Sequence, residues 1–340
     1  MAERLTLLGA PGSPYTRKML SLLRYRHIPY RLIIGNHRRD WGLPAAKVKL
    51  LPTFYFPTVD GEIEPVVDST PIIRRLEADH AARSVIPTDP VVRFLDELIE
   101  DYGDEWLTKA MFHYRWSYDA DIAKAGELLP RWTIAPKREA DLVDMKTMIA
   151  ERQIGRLYVV GSNEVTAPVI EASYHRFLAI MNAHLESHSF LFGARPASAD
   201  FAIWGQLTQL AAFDPTPAAI ALAESPGVYA WTQMLEDLSG LEPNDADWVG
   251  RDNLPDGISA LLGEIGRVYV PVMLANAAAV AAGASQVETE IDGKPWVQQS
   301  FPYQARCLQW LRASRAGLSE VDRGALDDLL AESGCTRLFA

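Results

Sequence analysis

The chain has 340 residues, with 33 Lys and Arg against 44 Asp and Glu, a net charge of −11. Its longest basic cluster is His37-Arg38-Arg39, so a polyanion finds no surface here, which argues against nucleic acid as a partner. Hydrophobic residues at 48% and charged residues at 23% describe a folded chain, one long enough for about two domains of ordinary size.

In chain order, Met1-Ala2-Glu3-Arg4 leads straight into apolar residues with no signal-peptide pattern. Arg4 to Leu8 reads as a short buried strand, and Gly9-Ala10-Pro11-Gly12 as a loop. Ser13-Pro14 opens a helix, Ser13 as N-cap and Pro14 in the first helical position. Met19, Leu20, Leu22, Leu23 and Ile28 give that helix its apolar side, and His27-Ile28-Pro29 ends it. Residues 30–34 make a second strand, completing a βαβ unit. A loop-rich stretch, 35–49, precedes a strand at Thr53-Phe54-Tyr55-Phe56 that meets Pro57. Asp60-Gly61 signals a two-residue hairpin turn, 63–67 the partner strand, and Asp68-Ser69-Thr70-Pro71 a further helix start. The order βαβ then ββα is that of a thioredoxin fold.

From Pro90 to about Gly240 the pattern is helical throughout, with Val91, Leu95, Leu98, Ile99, Tyr102 and Trp106 at helical spacing. The most apolar segment, 268–283, is shorter than the ~20 residues a membrane span needs and contains Pro271 and Asn276. A soluble cytoplasmic protein with no membrane partner is therefore expected, with a helix broken near Pro271. A hairpin follows, Val287, Thr289 and Ile291 alternating with Glu288 and Glu290 up to Asp292-Gly293. Two more helices, about 302–314 and 319–332, lead to a stop at Gly334.

Ser13-Pro14-Tyr15, Phe56-Pro57-Thr58-Val59 and Asp68-Ser69, in that order, resemble the glutathione-binding domain of glutathione S-transferases. Phe190 to Phe201, with Phe-Leu-x-Gly, Pro196 and Ser198-Ala199-Asp200, is similar to the segment that opens a core helix in the same family. There a Ser or Thr caps the helix and the Asp closes a capping box. Here Ala197 stands three residues before Asp200, leaving Ser198 capping one residue later or Asp200 capping alone. The resemblance covers about 4–245 and implies a thioredoxin-like domain at 1–82, an all-helical domain at 88–245 and an α+β extension at 250–340.

It also implies chemistry. Glutathione, as co-substrate, needs its thiol ionised, and a free thiol titrates near 8.5; lowering that value by two units stabilises the thiolate by about 2.7 kcal/mol. Ser13, at a helix N-terminus, is placed to hydrogen-bond the sulfur, with Tyr15 as a second hydroxyl; the local residues alone fit a plain N-cap equally. In the family the proline before the hairpin is cis and exposes the backbone before it to the cysteinyl part of glutathione. That carries over to Pro57 and the Phe56 main chain, where an ordinary trans proline ending a strand is the other reading. Ser69 and helix N–H groups suit the γ-glutamyl carboxylate and Asp68 its ammonium; both also fit helix capping. Tyr102, Trp106 and Tyr114, in a stretch also holding Phe112, Trp116 and Tyr118, line the hydrophobic co-substrate pocket or else serve as core.

Other chemistries fit less well. Cys307 and Cys335 are too few for a disulfide framework or a cysteine-rich zinc site, and no Cys stands near Ser13, which disfavours glutaredoxin-like exchange. His184-Leu185-Glu186-Ser187-His188 is not the zinc-protease spacing and reads as a solvated helix end, so no metal is expected. Gly9-x-x-Gly12 lacks the third glycine and the acid of a dinucleotide loop. The expectation is a serine-type glutathione transferase, a homodimer conjugating a small hydrophobic electrophile, as in detoxification. The alternative is a non-catalytic relative that binds ligand or protein on the same fold. Residues 250–340 cannot bury their apolar faces alone and are expected to pack on the helical domain, narrowing the co-substrate pocket near Trp106 and Tyr114.

Overall fold

The computed structural model describes residues 4–133 and 138–340. Met1 to Glu3, part of the opening read above, lie outside them. The chain begins with strand β1 (Leu5–Gly9), helix α1 (Pro14–Tyr25) and strand β2 (Tyr30–Ile34), then β3 (Thr53–Pro57), β4 (Ile63–Val66) and α2 (Ser69–Asp79). The sheet order is β2-β1-β3-β4, with β1 and β2 parallel and β3 antiparallel to β1 and β4. This is the expected mixed sheet, and its reasons are local. Ser13 Oγ accepts the Thr16 N–H, and Pro14 occupies the first helical turn, where a missing N–H costs nothing. Met19, Leu22 and Leu23 turn fully inward onto Leu7 and Phe54, each burial stabilising by roughly 1.5–3 kcal/mol. The β3–β4 turn is longer than Asp60-Gly61 alone suggests. Thr58 N–H donates to Glu62, and Gly61, with φ of 80°, takes the left-handed position of a three-residue loop.

The helical part runs α3 (Pro90–Tyr102), a wide π turn (Gly103–Leu107), α4 (Thr108–Ser117), α5 (Asp119–Thr133), α6 (Glu139–Ile154), a 3-10 turn (Leu157–Val160) and α7 (Ala167–Leu185). It continues through α8 (Ser198–Leu207), a second π turn (Thr208–Phe213), α9 (Pro215–Glu224) and α10 (Pro226–Met234). Helix α8 is the hinge between the two parts. Its Phe201 joins the core beneath the sheet, and Gly205 lets the α1 backbone come close, since a Cβ there would lie 2.8 Å from the Pro14 carbonyl. Ala197 carries no capping side chain. Asp200 alone performs that task, its carboxylate taking the Ala197 N–H at 2.8 Å and the Leu191 N–H at 3.0 Å. Ser198 instead donates toward Asp96 and Glu100.

The last part holds α11 (Asp256–Glu264), a third π turn (Ile265–Tyr269), α12 (Val270–Ala281), the hairpin β5 (Gln286–Ile291) and β6 (Lys294–Gln299), α13 (Pro302–Ala316) and α14 (Glu320–Leu330). The helix expected to break near Pro271 does not break. It runs Asp256–Ala281, 26 residues, widened just before Pro271, which sits where the wider turn frees its missing donor. By length and composition that helix could cross a membrane; here Ile258, Leu261, Ile265, Val268 and Val272 are packed in the core. One hydrophobic cluster extends from Val91 through Trp204 and Trp231 to Leu338, so α3, α4, α7 to α10 and the last ninety residues share a core, while α5 and α6 pack around Trp116, Ala125 and Phe213 in a smaller cluster.

Candidate functional site

Ser13 sits half-buried at the start of α1, its oxygen taking the Thr16 N–H at 3.2 Å and its hydroxyl donating to the Leu51 carbonyl at 3.2 Å. Leu51–Pro52 is the cis peptide bond, at the start of β3 rather than at its end. The expectation of a cis bond at Pro57 is therefore corrected. Phe56 and Pro57 are paired in the ladder with Glu64 and Ile63, and the Phe56 side chain is buried under the Arg75 guanidinium, 3.9 Å from the ring centroid. A backbone already serving a strand partner is not free for a ligand, and the main chain that Ser13 touches, ahead of the strand, is that of Leu51. The sequence signal for it was a Leu-Pro pair directly ahead of the strand.

Tyr15 does not join Ser13. Its hydroxyl donates to the Asp104 carbonyl at 2.7 Å, between α1 and the π turn. Burial, with Glu105 and Asp104 nearby, raises its pKa well above that of a free tyrosine, so it remains a neutral donor. The role of second thiol donor is withdrawn from it.

Asp68 and Ser69 stand at the start of α2, as expected. Asp68 is the N-cap by position, with φ of 86° and ψ of 113°, a conformation rare for a residue with a side chain. Its carboxylate accepts the Tyr303 hydroxyl at 2.6 Å. Burial raises its pKa, opposed by Tyr303 and by the charge of Lys18. Ser69 is buried, and its oxygen takes a hydrogen bond from Lys18 Nζ at 3.1 Å. Lys18 is the cation the sequence reading missed. It lies fully buried on the inner face of α1, 2.8 Å from Glu100 and 2.6 Å from Asp104. Burial opposes its charge, but the two carboxylates hold it protonated. Burial would also raise Glu100, which Lys18 and Arg74 pull below the usual range. Asp104 stays above that range because burial outweighs Lys18. Nothing in the local pattern of α1 distinguishes this Lys from a surface one.

The three aromatic pocket candidates are core. Tyr102 is buried with ring contacts to Phe177 and Tyr269. Trp106 donates to Ser173 Oγ at 3.1 Å and lies 5.3 Å from the ring of Trp296, which the β5–β6 hairpin supplies. Tyr114 is enclosed by Tyr118 and Tyr174. The hairpin thus fills the space near Trp106 instead of narrowing the mouth of a pocket. The apolar residues beside Ser13 are Leu129 and Trp132 of α5, which stand where a side chain on Gly12 would go. His184, read as part of a solvated helix end, is buried against the Phe190 carbonyl at 3.0 Å and stacked on His188. Among the described residues no group of three His, Cys, Asp or Glu side chains has metal-binding geometry.

Two family models match the sequence: the glutathione S-transferase N-terminal domain over residues 7–84 and the C-terminal domain over 149–233. The chain carries both domains of the glutathione S-transferase family. The first match contains Ser13, Leu51, Asp68 and Ser69, so all four lie within the stretch that matches the transferase N-terminal domain. Three solved transferases are similar in structure. A family member from Pseudomonas fluorescens, with two glutathione molecules bound, is 13% identical over 68% of this chain and 88% of its own, TM-score 0.43. One from Methylobacterium radiotolerans, in complex with glutathione sulfonate, is 19% identical over 73% and 95%, TM-score 0.42. Poplar glutathione transferase F1 is 19% identical over 70% and 95%, TM-score 0.41. The family assignment rests on the two domain models, and likenesses at these scores add no argument to it. No curated protein matches the sequence.

Proposed function

We propose that the chain binds glutathione along the rim formed by Ser13, Leu51 and Asp68 and stabilises its thiolate for transfer to a small hydrophobic electrophile. The observation that carries this reading is the Ser13 hydroxyl, half-exposed at a helix N-terminus and 3.2 Å from the Leu51 carbonyl. A ligand laid strand-like along Leu51 gives its cysteinyl N–H to that carbonyl, which frees the Ser13 proton for the sulfur. The positive end of the α1 dipole then favours the negative charge. At the far end, the Ser69 hydroxyl is spent on the Lys18 cluster, so the γ-glutamyl carboxylate falls to the main-chain N–H at the start of α2 and the ammonium to Asp68. The homodimer expected from the resemblance belongs to the same proposal, and sedimentation of the purified chain reads it directly.

Ser13→Ala tests the role of the hydroxyl. With glutathione and a chromogenic aryl halide at pH 7, the variant should conjugate roughly tenfold or more slowly and show a raised apparent pKa of the bound thiol. A loss in Tyr15→Phe with Ser13→Ala silent would move the role to Tyr15, against the bond Tyr15 makes to Asp104. One observation favours the second reading, ligand binding without conjugation: the aromatic residues expected to hold the electrophile are buried in the core. Calorimetric binding of glutathione with no turnover of any electrophile would establish that reading.

A further inference from the structure

The C-terminal segment reaches the rim at one point. Tyr303, on the first turn of α13, donates to Asp68 Oδ2 at 2.6 Å across a separation of 235 residues. The contact is built in from beneath. Asn276 of α12, fully buried, holds both main-chain groups of Phe301, its Nδ2 on the carbonyl at 2.9 Å and its Oδ1 on the N–H at 2.7 Å. Below Tyr303, Cys307, Leu308 and Leu311 are buried in the common core, so α13 cannot drift from this position without opening it. Tyr303 and Asp68 themselves remain half-exposed, within reach of a ligand.

The charge at this point is unbalanced. Asp68 makes no ion pair among the described residues, and its strongest partner is a neutral hydroxyl. Lys18, the nearest buried cation, is bound to Glu100 and Asp104. A carboxylate has about four lone-pair positions, so one phenol leaves room for a cation. The backbone of Asp68 is held in a conformation that persists only where surroundings fix it, which aims the carboxylate in one direction.

We propose that Tyr303 is a positioning residue of the thiol-binding site: the C-terminal segment supplies a hydroxyl that orients Asp68, and the pair selects ligands bearing an ammonium group at that end. The inference rests on the glutathione reading above and adds to it a specificity element that the two transferase domains do not contain. Residues 250–340 are then part of the binding site rather than an appendage.

The experiment compares glutathione with its deaminated analogue, in which the γ-glutamyl amine is replaced by hydrogen, by calorimetry on the full chain. The wild type should bind glutathione more tightly than the analogue, and Asp68→Asn should abolish the difference. Tyr303→Phe, which keeps the ring against Phe301 and Trp310, should shrink the preference by roughly threefold to tenfold with little change in analogue binding. In the Asp68→Asn background the same substitution should change the preference no further, which a purely structural Tyr303 would not produce. An unchanged preference in a Tyr303→Phe protein that melts like the wild type overturns the proposal. So does tighter glutathione binding, which would make the phenol a competitor for Asp68. A wild type that binds neither compound at millimolar concentration overturns the glutathione reading as well, and so separates the two failures.

Discussion

Lys18→Met is the substitution whose consequence the structure sets most tightly. The side chain is fully buried and joins three elements: α1, the start of α2 through Ser69, and the α3 region through Glu100 and Asp104. Methionine fills much of the same volume but removes the charge. Glu100 keeps Arg74 at 3.1 Å, Thr70 at 2.9 Å and the Ser198 hydroxyl, so it is not stranded. Asp104 is: its Oδ1 has no partner already, and Oδ2 would retain only a 3.4 Å contact to Ser69. Removing one member of a buried pair typically costs about 3–5 kcal/mol. For a 340-residue chain unfolding as one unit, with roughly 2.1 cal/mol/K of entropy per residue, that corresponds to about 4–7 °C in Tm. The penalty should depend on pH. Burial already raises Asp104, which rises further without Lys18, and Glu100 loses one of the two cations that hold it low, so the variant's native state holds more protons than the wild type's. A carboxyl with a raised native pKa stabilises below its unfolded value and loses that contribution as pH climbs through the native one. The variant therefore loses stability more steeply than the wild type between pH 5 and pH 8, and its deficit is larger at pH 8. Urea unfolding at the two pH values measures this. Adding Asp104→Leu should recover part of the loss, because an apolar pair replaces a stranded charge. A deficit below about 1 kcal/mol, or one equal at both pH values, would refute the reasoning.

Asp200→Asn keeps the shape of the helix cap but one oxygen fewer, so either Ala197 or Leu191 loses its acceptor, at about 1–3 kcal/mol in chemical denaturation. Burial pushes Asp200 up to about 7, so the wild type loses its contribution between roughly pH 4 and pH 7 while the variant does not titrate, and the difference between them should narrow toward pH 8. Gly266→Ala tests the docking of the chain's last residues on the long helix: its Cβ would fall 1.7 Å from the Ser333 carbonyl, and a loss of about 1–3 kcal/mol in thermal melts is expected, with no loss contradicting the close approach.

The elements of the first eighty residues were legible because their determinants are local. Ser13-Pro14 caps its helix, and alternating apolar residues bounded by Gly and Pro mark the strands. The choice between Pro52 and Pro57 was not local. Both flank β3, and the intrinsic preference between X–Pro isomers is only about 0.5–1 kcal/mol, so the surrounding fold decides. The aromatic stretch failed for a related reason. Helical spacing places Tyr102 and Trp106 on an inward face, but whether that face meets a ligand or a neighbour depends on Tyr269 and Trp296, more than 160 residues away. Lys18 was invisible on the same ground, since only the wide turn after α3 brings Asp104 to it.

The contacts of the last ninety residues argue for their place in the site. Their apolar residues do not form a separate core: Trp296 packs on Trp106, Phe339 on Phe94, and the cluster is continuous from Val91 to Leu338. Arg251 pairs with Asp89 at the N-cap of α3, and three hydroxyls of the segment meet acids farther along: Tyr269 donates to Asp101, Ser314 to Glu97 at 2.6 Å and Tyr303 to Asp68. All three donors are neutral and all three acceptors are carboxyls. A segment that only covered apolar surface would gain little by placing hydroxyls there, because each ordered hydroxyl gives up water for one modest bond. Neutral donors satisfy those carboxyls without neutralising them. Of the three acids, Asp68 is the one at the rim where we propose that the γ-glutamyl end binds, and a single phenol partner leaves its carboxylate room for a cation from solution.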